Sequence, residues 1–541
     1  MDVSIDADKF FERMDRLFVD WNTHKNSTWG GAEALCIPLG TAGTDLSYSK
    51  SSAFHIYFLG YEFPESIIVI TKNNFYFMAT AKKCAYFERD LVGKNSTINV
   101  HVLTKGKDEG ANKETMNSLV NIIRKGGNKK LGSIYKGDYQ GTFIPTWMTC
   151  VEQNQLERVE ISNCLGLFFA VKDAGELDSV KRAAILSNKV MKHGFVQEME
   201  NIIDNDLKIT HDALSTKVDG IISDTSLIGL KIAGDFTDSC YQPIIQSGGK
   251  YDIKVSASSN QDNLSPDVII CSLGARYKGY CANISRTFMV DAPTKVEKTY
   301  GTLLALYNAC LECMIPGNEL KDVVEGAKTF LKKKDPTLLT FLPKNLGFAI
   351  GLEFRDGSLV LNNVNTTKFA VGMVFNLAVG FHNVPLTTED KEKSPEVIQR
   401  LEVFSMLIAD VVAVQKEGLP EVLTKLSKEF GDVSYSISNE NEGAEDADDD
   451  DVEVVGETDA DGNEVRRSSR AKDEKLASES AAQKRQLRQK ELMEKKLAEA
   501  RRRMGLNGGL AVGVDDLDNA MEAKDLVTYR SAAEFPKDLN T

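Results

Sequence analysis

The sequence predicts an α+β protein: a mixed α/β first domain, a larger α+β second domain, and a charged tail unlike either. Three observations carry this. Helix-period and strand-period apolar segments alternate irregularly up to about residue 430, without the strict βαβ rhythm of a wholly parallel sheet. The 541 residues suit two or three domains of ~100–200 residues each, and a 42 % hydrophobic composition can fill their cores. Near residue 440 the composition turns abruptly acidic, then basic.

The first domain is assigned to residues 1–172. Phe10, Phe11, Met14, Leu17, Phe18 and Trp21 recur at helical spacing, so this stretch is an amphipathic helix with one packed face. Ile67–Thr71 and Phe75–Met78 read as strands around Lys72-Asn73-Asn74, a hairpin signal. Ile98–Leu103 is a further strand. Helices follow around Met116–Arg124 and near Thr146.

The second domain is assigned to 173–430. It opens with a long helix from Glu176 to about Asp204, and a shorter one covers Asp212–Ile222. Asp267–Gly274 reads as a buried strand, Ala275–Gly279 as its turn, and Tyr280–Phe288 as the return strand. Helices are expected over Val296–Met314 and Leu320–Lys333, and strands over Leu346–Phe354, Met373–Val379 and Met406–Val414.

Residues 431–541 form the tail. Glu440–Glu464 has too few large apolar residues to offset the entropy of ordering, so disorder is expected there. Arg466–Arg503 is basic and, from Asp473, rich in helix formers. Its few apolar positions, such as Leu476 and Leu487, give a helix little to bury without a partner.

Composition also narrows the chemistry. A net charge of −14 disfavours general nucleic-acid binding and favours basic partners. The longest apolar run of note, Leu165–Val171, is far short of the ~20 residues that span a bilayer, and no secretory leader is visible. Nine scattered cysteines fit a reducing compartment. A lone Cys310-x-x-Cys313 inside a helical pattern is weak evidence for zinc. No GxSxG elbow, Walker loop or HExxH occurs, and Ser247-Gly248-Gly249-Lys250 does not lie between a strand and a helix as a phosphate loop must.

The hairpin at 267–288 is the most telling segment. With its turn centred between Tyr277 and Lys278, Ser272 and Asn283 fall opposite each other on one face. Two carboxylates there could hold a cation; Ser and Asn do not supply that charge.

Four spaced segments of the second domain resemble the pita-bread metallopeptidases of the aminopeptidase P and creatinase family. They are Gly274–Phe288, Gly347–Glu353, Gly372–Gly380 and Ile408–Asp410. In that family two Asp, one His and two Glu hold a cation pair that activates water and polarises the scissile carbonyl. The resemblance puts Ser272 and Asn283 at the Asp positions, Phe348 at the His position, and Ala378 and Ala409 at the Glu positions. Val255 stands near the proton-handling His. His382, the sole histidine after the hairpin, adjoins no ligand position. The resemblance therefore implies the fold without metal, cofactor or peptidase activity. The cleft could still hold a peptide, or could be filled by Phe348 and its neighbours.

A closer resemblance is to the large subunits of the FACT histone chaperone. It rests on Pro243–Asp252, Asn283–Phe288, Ile350–Asp356, Gly60-Tyr61-Glu62-Phe63-Pro64 and the tail from Tyr529-Arg530-Ser531 to Phe535-Pro536. It implies non-catalytic binding of histones and nucleosomes in transcription, replication and repair, in the nucleus and on chromosomes, with DNA contacted weakly or indirectly. Candidate contacts are Asn283, Arg286, Glu353 and Arg355 near the cleft, and Glu445, Asp446, Asp448, Asp449, Asp450 and Asp451 in the tail. The acidic run could screen basic histone surfaces or be a solvated linker. The basic Arg466, Arg467, Arg470 and Lys472 could direct nuclear import, touch phosphates or pair with the acidic run. The family's dimerisation region, which binds the smaller subunit, would lie mostly beyond Thr541, so the chain reads as a fragment or a truncated product. The alternatives are a metal-dependent X-Pro aminopeptidase and a docking platform for other chromatin factors.

Overall fold

Helix α1 (Ala7–His24) starts where Asp6 accepts a hydrogen bond from the Lys9 amide at 3.1 Å, an N-cap. Its apolar stripe buries Phe10, Phe11, Met14, Leu17 and Trp21 as the periodicity predicts. The computed structural model describes residues 3–41, 49–125, 129–134, 141–229, 236–392 and 394–437. The expectations for 440–464, 466–503 and 529–536, and with them Glu445, Asp446, Asp448, Asp449, Asp450 and Asp451, lie outside the described residues.

The first lobe is a six-stranded mixed sheet. Its strands are β1 (Ala34–Leu39), β2 (Ser66–Thr71), β3 (Asn74–Thr80), β4 (Asn99–Lys105), β5 (Lys130–Ser133) and β6 (Glu157–Glu160), in the order β4-β3-β2-β1-β5-β6. The β2–β3 hairpin turns at Lys72-Asn73, with Asn73 at φ 63°, a conformation Asn tolerates better than most residues. Besides α1, this lobe carries α2 (Lys50–Leu59), α3 (Ala81–Asp90), α4 (Glu109–Arg124), α5 (Phe143–Gln153) and α6 (Ser162–Ala170).

The second lobe opens with α7 (Ala174–Val190), held by a reciprocal capping box between Asp173 and Glu176. The single helix expected to Asp204 is interrupted: Met191–Val196 is a π-helical segment, followed by α8 (Gln197–Asp204). Apolar spacing alone does not separate the two windings. Next comes α9 (His211–Ser223), then β7 (Thr237–Ser239), β8 (Ile244–Gln246), β9 (Val268–Tyr277) and β10 (Tyr280–Val290). Two helices, α10 (Thr294–Cys313) and α11 (Leu320–Lys334), precede β11 (Asn345–Ala349), β12 (Val360–Asn362), β13 (Val374–Pro385) and β14 (Val403–Ala413). The main path of the ten-stranded sheet is β12-β11-β13-β14-β10-β9-β7.

One face of this sheet packs on the helices, with Phe195, Val218, Tyr300, Leu303, Leu306 and Val323 in one core. The other face shares a core with the first lobe: Phe54, Phe58 and Phe168 join Cys281, Phe348 and Phe354 in a single cluster. Two strand expectations need correction. The strand at 346–354 stops at Ala349, because the chain doubles back there and the Asp356 amide donates to the Ala349 carbonyl at 3.0 Å. The β9–β10 turn is centred one residue further on than expected, which shifts each cross-strand partner by two, and it contains only Lys278 (φ 49°) and Gly279 (φ 83°). Two successive left-handed residues suit a primed turn, whose twist matches that of the strands.

Candidate functional site

The corrected turn changes the pairing of the hairpin. Ser272 faces Ser285, and Asn283 faces Gly274. The shift is two residues, one full side-chain period, so Ser272 and Asn283 remain on the same face. Ser285 in turn pairs with Ala409, and Ala409 with Ala378. A row Ser272–Ser285–Ala409–Ala378 therefore crosses β9, β10, β14 and β13. In the adjoining row, Asn376 on β13 pairs with Phe348 on β11.

These rows floor a cavity of ≈ 30 Å³. Ser272, Asn283, Ser285, Asn376, Ala378 and Ala409 line it from the sheet, and Tyr241, Gln246 and the 252–255 segment line it from above. Val255 is in its wall, where the sequence reading placed it. Phe348 is not: its ring packs on Phe354, 5.5 Å between centroids, and Phe354 packs on Tyr241 at 4.9 Å. Four of the five expected positions thus converge, and the fifth belongs to an aromatic plug beside them. Sequence reading missed Ser285 and Asn376. Both lie two residues from a named position on the same strand, so the period of two could have found them.

Within the cavity, Tyr241 Oη donates to Asn283 Oδ1 at 2.5 Å, Asn283 Nδ2 donates to Asn376 Oδ1 at 3.1 Å, and Ser285 Oγ donates to Ser272 Oγ at 2.6 Å. Asn376 Nδ2 is buried with no partner. This donor set does not fit the dication pair of the peptidase fold. A dication needs carboxylate or imidazole ligands, and the sheet offers amides, hydroxyls and methyl groups. Among the described residues, no group of three or more His, Cys, Asp or Glu is arranged to hold a metal ion.

Three of the four cleft-side contact candidates are not surface groups. Arg286 is fully buried and points away from the cavity into the back of the sheet. It donates to the carbonyls of Ser285, Ala409, Leu426 and Ser427, and to Asp410 Oδ1 at 2.8 Å. Asp410 also meets Lys428 at 3.1 Å and accepts from Thr424 Oγ1 at 2.7 Å. Asn283 is buried in the network above. Glu353 is tied to Lys50 of α2, which also meets Asp356 at 2.6 Å. Burial pushes the Glu353 carboxyl up to about 7 against the pull of Lys50, whereas Lys50 and Ser358 outweigh burial at Asp356 and hold it low. Arg355 alone of the four is exposed, with its guanidinium 5.7 Å from the Phe348 ring centre.

The remaining motifs resolve as structure. At Ser247-Gly248-Gly249, the Gly248 amide donates to both Asp267 carboxylate oxygens, at 3.0 and 3.1 Å, so it is not free for a phosphate. Ser247 Oγ is hydrogen-bonded to His211 Nε2 at 2.7 Å, and His211 Nδ1 to Asn260 Oδ1 at 2.6 Å. That order resembles a nucleophile–base–orienter chain, but Ser247 is buried and already accepts from the Ser265 amide. His382 is half-buried and hydrogen-bonded to the Tyr251 carbonyl at 3.0 Å. Cys310 is buried, Cys313 is partly so, and both are free thiols. Among the described residues, no helix is long and apolar enough to cross a membrane.

Comparison with known proteins bears on both lobes. The FACT complex subunit SPT16 N-terminal lobe domain matches residues 5–164, and metallopeptidase family M24 matches residues 178–416. The FACT complex subunit SPT16 of Zea mays is 33% identical over 545 residues, a match covering 98% of this chain and 50% of that protein. The chain thus spans about half the length of the curated relatives it matches. The N-terminal domain of FACT complex subunit SPT16 from Cicer arietinum is 34% identical, with a TM-score of 0.73, over 80% of this chain and 100% of that one. An X-Pro aminopeptidase from Thermotoga maritima is 18% identical with a TM-score of 0.53, over 75% of this chain and 98% of that one, a likeness of fold alone.

Proposed function

The chain belongs to the family of FACT complex SPT16 subunits, and from that premise we propose that it binds histones and nucleosomes as part of a histone chaperone and performs no peptidase chemistry. The observation that carries the reading is the row Ser272–Ser285–Ala409–Ala378 on a peptidase-like sheet. The scaffold is that of an X-Pro peptidase, while the positions that would ligate cations hold hydroxyl and methyl groups. We read Ser272, Asn283, Phe348, Ala378 and Ala409 as the places where ligands have been lost. No metal or other cofactor enters the proposed activity.

The mechanism is competition. A chain of net charge −14 attracts basic histone surfaces and shields them from DNA, without ATP or covalent steps. The acidic residues Glu445–Asp451 are the histone-facing candidates. Arg355, exposed and cationic, suits an acidic surface or a phosphate instead. Nuclear and chromosomal residence follows from this role. Pairing with the smaller FACT subunit belongs to the same proposal.

Pull-down of purified histones by the whole chain, and by a chain lacking residues 440–464, tests the reading. Retention by the whole chain that falls on deletion is the expected result. No retention by either at moderate salt would leave a docking platform for other chromatin factors. Bound Mn or Zn together with turnover of an X-Pro peptide would establish the aminopeptidase alternative.

A further inference from the structure

The hydrogen bonds under the old cleft run in one direction, and their ends are donors. Tyr241 donates to the Asn283 carbonyl oxygen and Asn283 donates to the Asn376 carbonyl oxygen. Each bond sets the orientation of the next amide. The chain therefore ends with Asn376 Nδ2, buried and without a partner, at the wall of the ≈ 30 Å³ cavity. The second strand of the network ends the same way: Ser285 gives its proton to Ser272 Oγ, which leaves the Ser272 hydroxyl proton unspent.

The other walls are mostly hydrocarbon, with one carboxylate among them. Ala378, Ala409, Ile244, Ile253, Val255, Ile270 and Leu407 present hydrocarbon. Gln246 is held at both ends, its Nε2 donating to the Asp252 carbonyl at 3.1 Å and its Oε1 accepting from the Asp252 amide at 3.0 Å. The sole carboxylate in the lining, Asp252, stands 3.7 Å from the exposed ammonium of Lys254, which belongs to the same lining.

We propose that this cavity is an anion site that takes a single halide-sized ion, chloride in ordinary buffers, held by Asn376 Nδ2 and the Ser272 hydroxyl with Lys254 as the nearest countercharge. A buried amide left unpaired costs free energy, so a ligand that accepts from it is stabilised. The volume exceeds the ~10–15 Å³ that one water needs, so a single small ion is of suitable size. A halide accepts and donates nothing, which matches two unspent donors; a water in its place must also find acceptors for two protons. The site would thus have the opposite sign to the cation pair its fold carries in the peptidases. The inference is independent of histone binding.

Crystals grown with bromide in place of chloride test it by anomalous scattering. The expected result is a peak within hydrogen-bonding reach, ~3.3–3.6 Å, of both Asn376 Nδ2 and Ser272 Oγ, by analogy with ordinary donor–acceptor spacings lengthened for a larger ion. Thermal unfolding of the whole chain in chloride and in gluconate at equal ionic strength gives a second readout. Stabilisation by ~2 °C in chloride is expected for the wild type and its loss in Ser272→Ala. Asn376→Asp, which replaces donors with a carboxylate, should abolish the bromide peak; if that variant does not fold, Ser272→Ala carries the comparison. A fully occupied water with no anomalous signal, or an equal chloride response in wild type and Ser272→Ala, would overturn the proposal.

Discussion

At the scale of single residues, Arg286 shows how far a sequence can mislead about a charged group. Beside a cleft motif it reads as a contact for a partner. In the structure its side chain is entirely buried, and its donor bonds are directed at the back of the sheet and the 424–428 segment. Such a group is held by geometry: four carbonyls and the Asp410 carboxylate surround it. Removing Arg286 takes one of two cations from the buried Asp410, leaving Lys428, and takes a donor from four carbonyls. Arg286→Met should therefore cost about 3–5 kcal/mol in urea unfolding, and the double variant with Asp410→Leu should recover part of that loss. Histone retention measured well below the melting transition should not change. A selective loss of retention at unchanged stability would return Arg286 to the list of contacts.

At the scale of elements, the sequence conveyed most of what positions the cleft and little of what closes it. The long apolar strands and the helices α9, α10 and α11 follow directly from their periods. The face on which Ser272 and Asn283 lie was legible, because a two-residue slip leaves every side chain on its own face. The direct partners were not legible, because they depend on a turn of two residues rather than five. Filling by Phe348 and its neighbours was one of two readings of the cleft, but the partnership with Tyr241 was not legible, since it joins the 348–354 stretch to a segment over a hundred residues earlier. Glycine carries a further element-scale constraint. Gly347 on β11 has φ 139°, and a Cβ there would meet the Asn376 carbonyl oxygen at 2.1 Å. Gly347→Ala should force β11 away from β13 at a cost of about 2–4 kcal/mol, from backbone strain and overpacking together. Hydrogen exchange should show it as faster amides across 345–349 with the β2–β3 hairpin unchanged. Equal protection in the variant would mean that the strand pair is not set by this close approach.

At the scale of the whole molecule, the issue is what fixes the first lobe over the peptidase-like sheet. Apolar contact does much of it, since one core runs through both lobes. A charged joint lies within that contact: Lys50 of the first lobe reaches Glu353 and Asp356 of the second, and Arg13 reaches Asp173 at 2.7 Å. One ammonium serves two carboxylates, and their fates differ. Asp356 stays ionised, while burial lifts Glu353 to about 7. An unfolded Glu releases its proton near 4.3, so between about 4.3 and 7 the folded state binds more protons than the unfolded state. The stability from this group is complete below that window and is lost as pH rises through 7. Lys50→Met removes the cation that opposes the shift, so both carboxyls rise further and the window widens upward. The variant should lose about 1 kcal/mol at pH 5, where its carboxyls can take up protons. It should lose about 3–5 kcal/mol at pH 8, where unpaired charge remains buried between the lobes. Urea unfolding of variant and wild type at the two pH values measures the difference directly, free of every other titrating group the two proteins share. A deficit that does not change with pH would show that the Lys50 charge does not hold the lobes together through Glu353 and Asp356.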